Sequence, residues 1–425
     1  QNVSSWIVDQ LDIQPGDTVV EVGPGTGALT EQVVDRCERL ILVEFDARLA
    51  AYQKKRYENV DHVTVHHADG ARFDVRELFP YQPIKLLGNL PYSAGGAIMR
   101  NFLNRPSPVV KAVLMLQKEF IDRIIAKPRT KDYGVLTLRI QSEWDARPLK
   151  TIPPECFHPR PAIDSTVMVL EKKREELPVF DPRLFDELIR RGFSQRRKQV
   201  KKQLPEDLDW ENLAPENGIS LTARAEEISL EKWVGLTIAY DPLTNGGTAP
   251  AQSDHELFDV VNEDDEVISQ ASRSVVHSQG LMHRAIHVLV FNKHREVFLQ
   301  KRSRLKDTAA GLWGSSASGH VDSGESYDAS VVREVSEELG IFEPALQHIG
   351  KLKPCAENGF EHVAIYLARH DGAMRCPCNE VEAGQWFKIE TIEAWLKARE
   401  ADFAPGFIQV WEQFQKLAAA RSEES

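Results

Sequence analysis

Short apolar runs alternate with amphipathic stretches over the first part of the chain. Thr18–Val22 is one such run and ends in Gly-Pro-Gly-Thr-Gly. A helical pattern follows at Ala28–Arg36. Leu40–Val43 is a second strand, closed by Glu44, and another helix runs to about Tyr57. Val63–His66 and Ile84–Leu87 read as strands, and Val109–Leu116 as a buried one. This alternation predicts a doubly wound α/β sheet over residues 1–172. Residues 173–240 are charged, helical in period and without clear strands, which predicts a small helical domain. Asp241–Asp254 is rich in Pro, Gly, Thr and Ser and reads as a flexible linker. In residues 255–425, Ile286–Phe291, Val297–Gln300 and His362–Leu367 read as strands around one strong helix at about Ser326–Leu339.

Composition fits a globular chain of two or three domains: 425 residues, 42% hydrophobic and 27% charged. No apolar run reaches the roughly 18 residues of a membrane span. Gln1–Leu11 lacks the basic start of a signal peptide, and the initial Gln suggests a trimmed start. Cys37, Cys156, Cys355, Cys376 and Cys378 are an odd, scattered set. They predict a reducing, cytoplasmic setting without a disulfide framework. Cys376-Pro-Cys378 has no second Cys/His pair at finger-like spacing, which disfavours zinc. The net charge of −12 is uneven: −1 over residues 1–240 and −11 over 241–425. Residues 100–202 hold 23 basic and 13 acidic groups, a net of +10 that can hold a polyanion.

The glycine loop Glu21–Gly27 lies between a strand and a helix, where glycines let the backbone approach a ligand closely. Glu44 is the natural partner of ribose hydroxyls, and Asp69 can accept from an adenine amine. Asn89-Leu90-Pro91-Tyr92 follows the fourth strand, at the edge where open α/β sheets bind ligands. The Asn89 side-chain oxygen and the next carbonyl can accept both N–H groups of an adenine amine, favouring the tetrahedral nitrogen that forms on methyl attack. Tyr92 offers a face for a flipped-out base.

The series EVGPGTGALT, Glu44, Asp69, GNLPY, VLMLQKEFIDRI, KDYGVLTLRIQ and CFHPRPAIDS resembles the KsgA/RsmA family of rRNA adenine N6-dimethyltransferases, relatives of the Erm enzymes, over about residues 1–240. The resemblance implies a Rossmann-like class I methyltransferase fold with a small helical domain. It implies S-adenosylmethionine on Gly23, Gly25, Gly27, Glu44, Asp69 and Asn89. It implies Asn89 and Tyr92 at the target amine, with Phe157 on the other face of the adenine. It places Phe193–Lys198 and Arg224–Glu226 in the helical domain. Small-subunit rRNA or a pre-ribosomal particle is then the partner, and a non-catalytic assembly module is the alternative. Arg190, Arg191, Arg196, Arg197, Lys198, Lys201 and Lys202 form a basic run suited to phosphate contact. Two departures stand out. The family's opening Gln-x-Phe-Leu segment falls upstream of Gln1, and Ser-Ala-Gly-Gly-Ala replaces its usual Asn-Ile-Ser after Tyr92.

Gly319–Ile341 matches every fixed position of the Nudix box: Gly319, Glu325, Arg333-Glu334, Glu337-Glu338 and Gly340-Ile341. Glu334, Glu337 and Glu338 share one helix face, where unpaired charges repel until a hard cation takes their oxygens. Mg²⁺ on Glu325, Glu334, Glu337 and Glu338 would neutralise a diphosphate and orient the attacking water, with Glu337 and Glu338 as catalytic groups. Arg333 can fix a glutamate by a bidentate pair, and Gly319 and Gly340 let the loops turn at both ends. The resemblance implies an α/β/α Nudix sandwich acting on a diphosphate-containing small molecule. Leu281–Ala285, Gln300–Ser303 and Gly311–Trp313 resemble the branch that includes isopentenyl-diphosphate isomerases. The isomerase's cysteine after the tryptophan is missing here, which favours hydrolysis over isomerisation. Lys301 and Arg302 are candidate phosphate contacts, and Glu361 or Glu380 a further ligand or base.

Overall fold

The computed structural model describes residues 3–91, 93–153, 155, 164–173, 177–247 and 256–423. They form two compact units: Gln1–Pro178 with Pro182–Tyr240, and Val179–Asp181 with Asp241–Ser425.

The first unit is built on one sheet of seven strands: β1 (Thr18–Val22), β2 (Arg39–Glu44), β3 (Val63–His67), β4 (Ile84–Asn89), β5 (Val109–Gln117), β6 (Trp144–Ile152) and β7 (Ser165–Lys172). Their order is β3-β2-β1-β4-β5-β7-β6. β1 to β5 run parallel, and β7 pairs antiparallel with both β5 and β6. Helices α1 (Val3–Asp9), α2 (Thr30–Val33), α3 (Ala47–Arg56), α4 (Gly95–Leu103), α5 (Lys118–Ile124) and α6 (Val135–Gln141) accompany it. Alternation along the strands supplies two cores. Val20, Val22, Leu86 and Leu114 pack with Ile98, Met99 and Phe102 of α4. Val19, Leu40, Leu87 and Val113 pack with Ile7 and Val8 of α1. The strand order reverses between β1 and β4, which opens a crevice at their carboxyl ends.

The helix read at Ala28–Arg36 is regular only over Thr30–Val33. Its backbone mixes four-residue bonds (Glu31 N to Gly27 O, 3.0 Å) with three-residue ones (Gln32 N to Leu29 O, 2.9 Å; Arg36 N to Val33 O, 2.8 Å), so it winds as tight turns. By contrast α3 starts firmly, because Asp46 accepts from Arg48 N and Leu49 N at 2.8 and 3.1 Å. Helices α7 (Pro182–Gly192), α8 (Trp210–Glu216) and α9 (Leu230–Tyr240) follow, with no named strand in this stretch.

The second unit opens with a hairpin, β8 (Leu257–Val261) and β9 (Val267–Ser272), and α10 (Arg273–Gln279). Its main sheet comprises β10 (His283–Phe291), β11 (Val297–Arg302), β12 (Trp313–Gly314), β13 (Ala317–His320), β14 (Leu346–Leu352), β15 (Glu361–Arg369) and β16 (Val381–Phe387). The order is β12-β11-β10-β15-β14, with β13 on β10 and β16 on β11. Among the described strands of this sheet, only β10 and β15 pair in parallel. Helix α11 (Tyr327–Leu339) lays Val331, Val335 and Leu339 on Ile286, Val288 and Val290 of β10. A second core is a chain of rings, Trp313, Phe387, Trp395, Phe403, Phe407 and Trp411, drawn from β12, β16, α12 (Ile389–Arg399), α13 (Pro405–Glu423) and the segment between these two helices. The result is an α/β/α sandwich.

The stretch read as a linker begins as an ordered turn. Asp241 and Thr244 are buried, and Asp241 accepts from Leu243 N and Thr244 Oγ1 at 2.9 and 3.0 Å. Residues 248–254 lie outside the described residues.

Candidate functional site

In the first unit the glycine loop leaves β1 with Gly23, Gly25 and Gly27 all at positive φ, at 71°, 58° and 98°. Only glycine adopts these angles freely. Helix α3 grips the loop: Gln53 Nε2 donates to Gly25 O at 2.8 Å and Arg56 to Thr26 O at 3.2 Å. Glu44, at the end of β2, accepts from Gly25 N at 3.0 Å and from Asp46 N at 2.9 Å. A side chain added at Gly25 would meet nothing within 4 Å, so the loop faces open space. One added at Gly23 would lie 3.8 Å from Asn89 O, so β1 and β4 bring the loop and Asn89 together. The Asn89 side chain is exposed and makes no hydrogen bond among the described residues. Asp69 is placed through Gly70, which leaves room for Val22 at the end of β1, and through Asn101, which donates to Gly70 O and Phe73 O at 3.0 and 2.8 Å. Tyr92 and Phe157 lie outside the described residues.

Two features of this crevice were not read from the sequence. Phe45, next to Glu44, is 72% exposed, an apolar ring beside an acidic one-residue neighbour. Glu21 is fully buried on β1 and accepts from Thr30 Oγ1 at 2.7 Å. Burial, against that hydrogen bond, pushes its carboxyl up to about 7.

The basic run is largely paired. Arg190 bridges to Asp186, Arg191 to Glu187, Arg196 to Glu226 and Lys201 to Glu211. Arg197, Lys198 and Lys202 are exposed and have no ion-pair partner among the described residues.

In the second unit a cavity of about 930 Å³ is lined by Glu334, Glu337 and Glu338, by Arg302 and Lys306, and by His277, His320 and Glu361. Helix α11 is capped at its start by Ser326, whose hydroxyl accepts from Ala329 N at 3.2 Å, and ends at Gly340 with φ 66°. That fixes which side of α11 meets β13. Arg333 is the hub. It holds Glu325 by two hydrogen bonds, Nε to Oε1 at 3.3 Å and a guanidinium NH₂ to Oε2 at 3.0 Å. It also reaches Glu334 at 2.8 Å, Glu337 at 3.3 Å and His320 O at 3.2 Å. Although burial opposes it, these partners keep the guanidinium firmly protonated. Two of the three charges on this face are therefore paired, because Arg333 spans Glu334 and Glu337 as well as Glu325 from the preceding loop. Glu338 turns away from Arg333 and accepts from Ser318 N at 3.0 Å and Gln300 Nε2 at 3.2 Å. Burial and the mutual repulsion of Glu334 and Glu338 hold the Glu334 carboxyl above the usual range, and burial does the same for Glu338.

Gly340 makes the turn expected of it, but Gly319 does not. Gly319 lies within β13, and its value is space: an added Cβ would stand 2.1 Å from the Glu334 carboxyl carbon. Of the two basic candidates, Arg302 lines the cavity, while Lys301 pairs with Glu382 at 3.0 Å and is absent from the lining. Lys306, paired with Glu380, takes its place.

A cluster missed in the sequence lies on the same wall. His277, His283 and His320 bring ring nitrogens within 4.8 Å of one another. Glu361 Oε1 sits 3.2 Å from His320 Nε2 and 3.7 Å from His283 Nε2. Despite burial, these imidazoles hold the Glu361 carboxyl well below the usual range. The four residues come from three distant stretches of the chain. They meet because β10 pairs with β15 in register His283 to Glu361 and with β13 in register Ala285 to His320. Nitrogen-rich donors of this kind suit a transition ion better than Mg²⁺.

Comparison with known proteins places both units. Residues 1–241 match the family described as ribosomal RNA adenine dimethylase, and residues 281–409 match the NUDIX domain. The chain is 39% identical over 261 residues to the ribosomal RNA small subunit methyltransferase A of Leptothrix cholodnii, covering 59% of this chain and 94% of that protein. It is similar to a crystal structure of a dimethyladenosine transferase from Plasmodium falciparum, with 22% identity, 58% of this chain, 96% of that chain and a TM-score of 0.48. It is also similar to DR0079 from Deinococcus radiodurans, with 25% identity, 34% of this chain, 90% of that chain and a TM-score of 0.31. Among the described residues no helix is long and apolar enough to cross a membrane.

Proposed function

Because the chain belongs to the ribosomal RNA adenine dimethylase family and carries a NUDIX domain in the same polypeptide, we propose that it is a bifunctional enzyme. Its first unit dimethylates N6 of adenines in small-subunit rRNA. Its second hydrolyses a small molecule that contains a diphosphate.

For the first unit, the junction of the glycine loop, Glu44 and Asn89 carries the reading. The residues fit S-adenosylmethionine: open space over Gly25, a carboxylate at the end of β2 with lone pairs to spare for hydroxyls, and Asp69 two residues past the end of β3, which pairs with β2. The cofactor supplies the methyl group. Asn89, without a side-chain hydrogen bond among the described residues, accepts from the adenine amine and orients its lone pair. Tyr92 and Phe157 are proposed to sandwich the base. Arg197, Lys198 and Lys202 offer charge to the RNA backbone. Incorporation of labelled methyl groups into undermethylated small ribosomal subunits tests this. No incorporation, with the cofactor bound, would support the non-catalytic assembly module instead.

For the second unit, the Arg333 hub carries the reading. Two buried carboxyls held above their usual range on a cavity wall are a donor set that a hard divalent ion relieves. Glu325, Glu334, Glu337 and Glu338 would hold Mg²⁺, which supplies positive charge to the diphosphate oxygens. Arg302 and Lys306 add fixed charge. Glu337, 61% exposed at its side chain, and Glu338 would take a proton from water. The test is release of phosphate or a nucleoside monophosphate from a panel of diphosphates with Mg²⁺, lost in Glu338→Gln. One observation favours a second reading of this unit, isomerisation: the imidazole cluster with Glu361 opens on the same cavity. A rearranged diphosphate with no phosphate release would establish it.

A further inference from the structure

The cavity of the second unit has a wall that diphosphate chemistry does not use. Alternation along β10 turns Ile286, Val288 and Val290 toward α11, and Ala285 and His287 the other way, into the cavity lining. The register partner of His287 is Ser318, whose amide donates to Glu338. His287 therefore stands one strand away from a Nudix-box carboxylate. Ala404, Pro405, Gly406 and Phe407 complete this end of the cavity.

His287 Nδ1 lies 2.7 Å from Ser315 Oγ. Ser315 is 1% exposed, and its hydroxyl has no other partner among the described residues. Were Nδ1 the donor, the hydroxyl proton of this enclosed side chain would be buried without an acceptor. Ser315 donating to Nδ1 pairs that proton and puts the ring's own hydrogen on Nε2, the nitrogen that meets Gly406 on the cavity lining. Among the described residues nothing accepts from Nε2. A Cβ at position 406 would stand 3.6 Å from Nε2, so Gly406 keeps the approach to it open. Burial keeps the ring neutral, pushing its pKa down to about 4. The charged end of a diphosphate has Arg302 and Lys306 to meet it.

We infer that His287, set by Ser315, is a specificity residue that donates from Nε2 to an uncharged acceptor on the organic part of the substrate. This rests on the diphosphate reading of the cavity. The ligand class is a diphosphate whose organic part carries a carbonyl or ring nitrogen, as a nucleoside does. A hydrocarbon diphosphate would leave the donor unpaired, and sites built to hydrogen-bond discriminate strongly against such ligands.

The experiment is equilibrium binding to the full chain with Mg²⁺, using UDP, ADP, isopentenyl diphosphate and methylenediphosphonate. The wild-type chain binds UDP or ADP more tightly than isopentenyl diphosphate. His287→Leu weakens that nucleotide by about five- to thirty-fold and leaves methylenediphosphonate within about twofold. Gly406→Ala keeps the imidazole and the fold but places a methyl group over Nε2, and shifts nucleotide affinity in the same direction. An equal loss for methylenediphosphonate would make His287 a phosphate contact or a structural residue and overturn the assignment. So would unchanged nucleotide binding, or a wild-type preference for isopentenyl diphosphate. Phosphate release is followed in the same samples. Nucleotide selectivity that depends on His287, without any release, would uphold this assignment while removing the hydrolase reading.

Discussion

Gly319→Ala isolates what the Nudix-box glycine does. Gly319 lies in a strand at an ordinary φ, so alanine fits the backbone and the effect is purely one of space. The new Cβ would stand 2.1 Å from both the Glu334 carboxyl carbon and its Oε1, where ordinary contact begins at 3.4 Å. The carboxylate must retreat by about 1.3 Å, a shift derived from those two distances. That retreat breaks or lengthens its 2.8 Å bond to Arg333 and removes one oxygen from the cation seat. A misplacement of about 1 Å costs roughly 10²-fold in rate, whereas overpacking costs about 1–3 kcal/mol of stability. Gly319→Ala is thus expected to remain folded, bind Mg²⁺ more weakly and lose about 10²-fold in kcat/KM for diphosphate hydrolysis. The assays are calorimetric Mg²⁺ titration and phosphate release, with thermal unfolding as control. Wild-type turnover together with wild-type Mg²⁺ affinity would refute the placement of Glu334 in the site.

Further outcomes follow from the buried carboxyls and from Asn89. Burial raises the folded pKa of Glu21 to about 7, from an ordinary value of 4.5. Its contribution to stability is full below the lower value and is lost as pH rises through the upper one, a change of roughly 3 kcal/mol. Glu21→Gln keeps an acceptor for Thr30 and should therefore gain stability over wild type at about pH 8 but not at about pH 4.5, read by urea unfolding; parallel curves would contradict it. Burial holds Glu334 and Glu338 protonated above the usual range, so an incoming ion displaces protons and Mg²⁺ affinity should rise with pH. Calorimetry in buffers of different ionisation heat would expose this, and a heat independent of buffer would count against it. Asn89→Ala should cut methyl transfer by about 10²- to 10³-fold and leave diphosphate hydrolysis unchanged; equal rates of methylation would remove Asn89 from the chemistry.

Legibility in the sequence tracked how local each signal is. The parallel strands β1, β2, β4 and β5 are buried on both faces and read as continuous apolar runs. Strand β6 was not readable: Trp144–Ile152 is an edge strand whose side chains are mostly exposed, so WDARPLKTI carries little apolar period. The Nudix box was legible because the end of β13, one loop and α11 hold nearly all of it in consecutive residues at fixed spacing. The histidine cluster with Glu361 was not, because its members come from α10, β10, β13 and β15, and strand register is what brings His283, His320 and Glu361 together. Likewise Lys306 replaced Lys301 because a strand turns neighbouring residues to opposite faces, which spacing alone does not orient.

The pairing of the basic run with acidic neighbours bears on how RNA would leave. A phosphate that takes Arg190, Arg191, Arg196 or Lys201 must first evict Asp186, Glu187, Glu226 or Glu211. Each carboxylate stays tethered nearby at high local concentration, ready to reclaim its cation. The surface thus carries its own competitor for the polyanion. On the proposed rRNA reading it would trade grip for turnover, which would suit an enzyme that must let go of its RNA once the bases are modified.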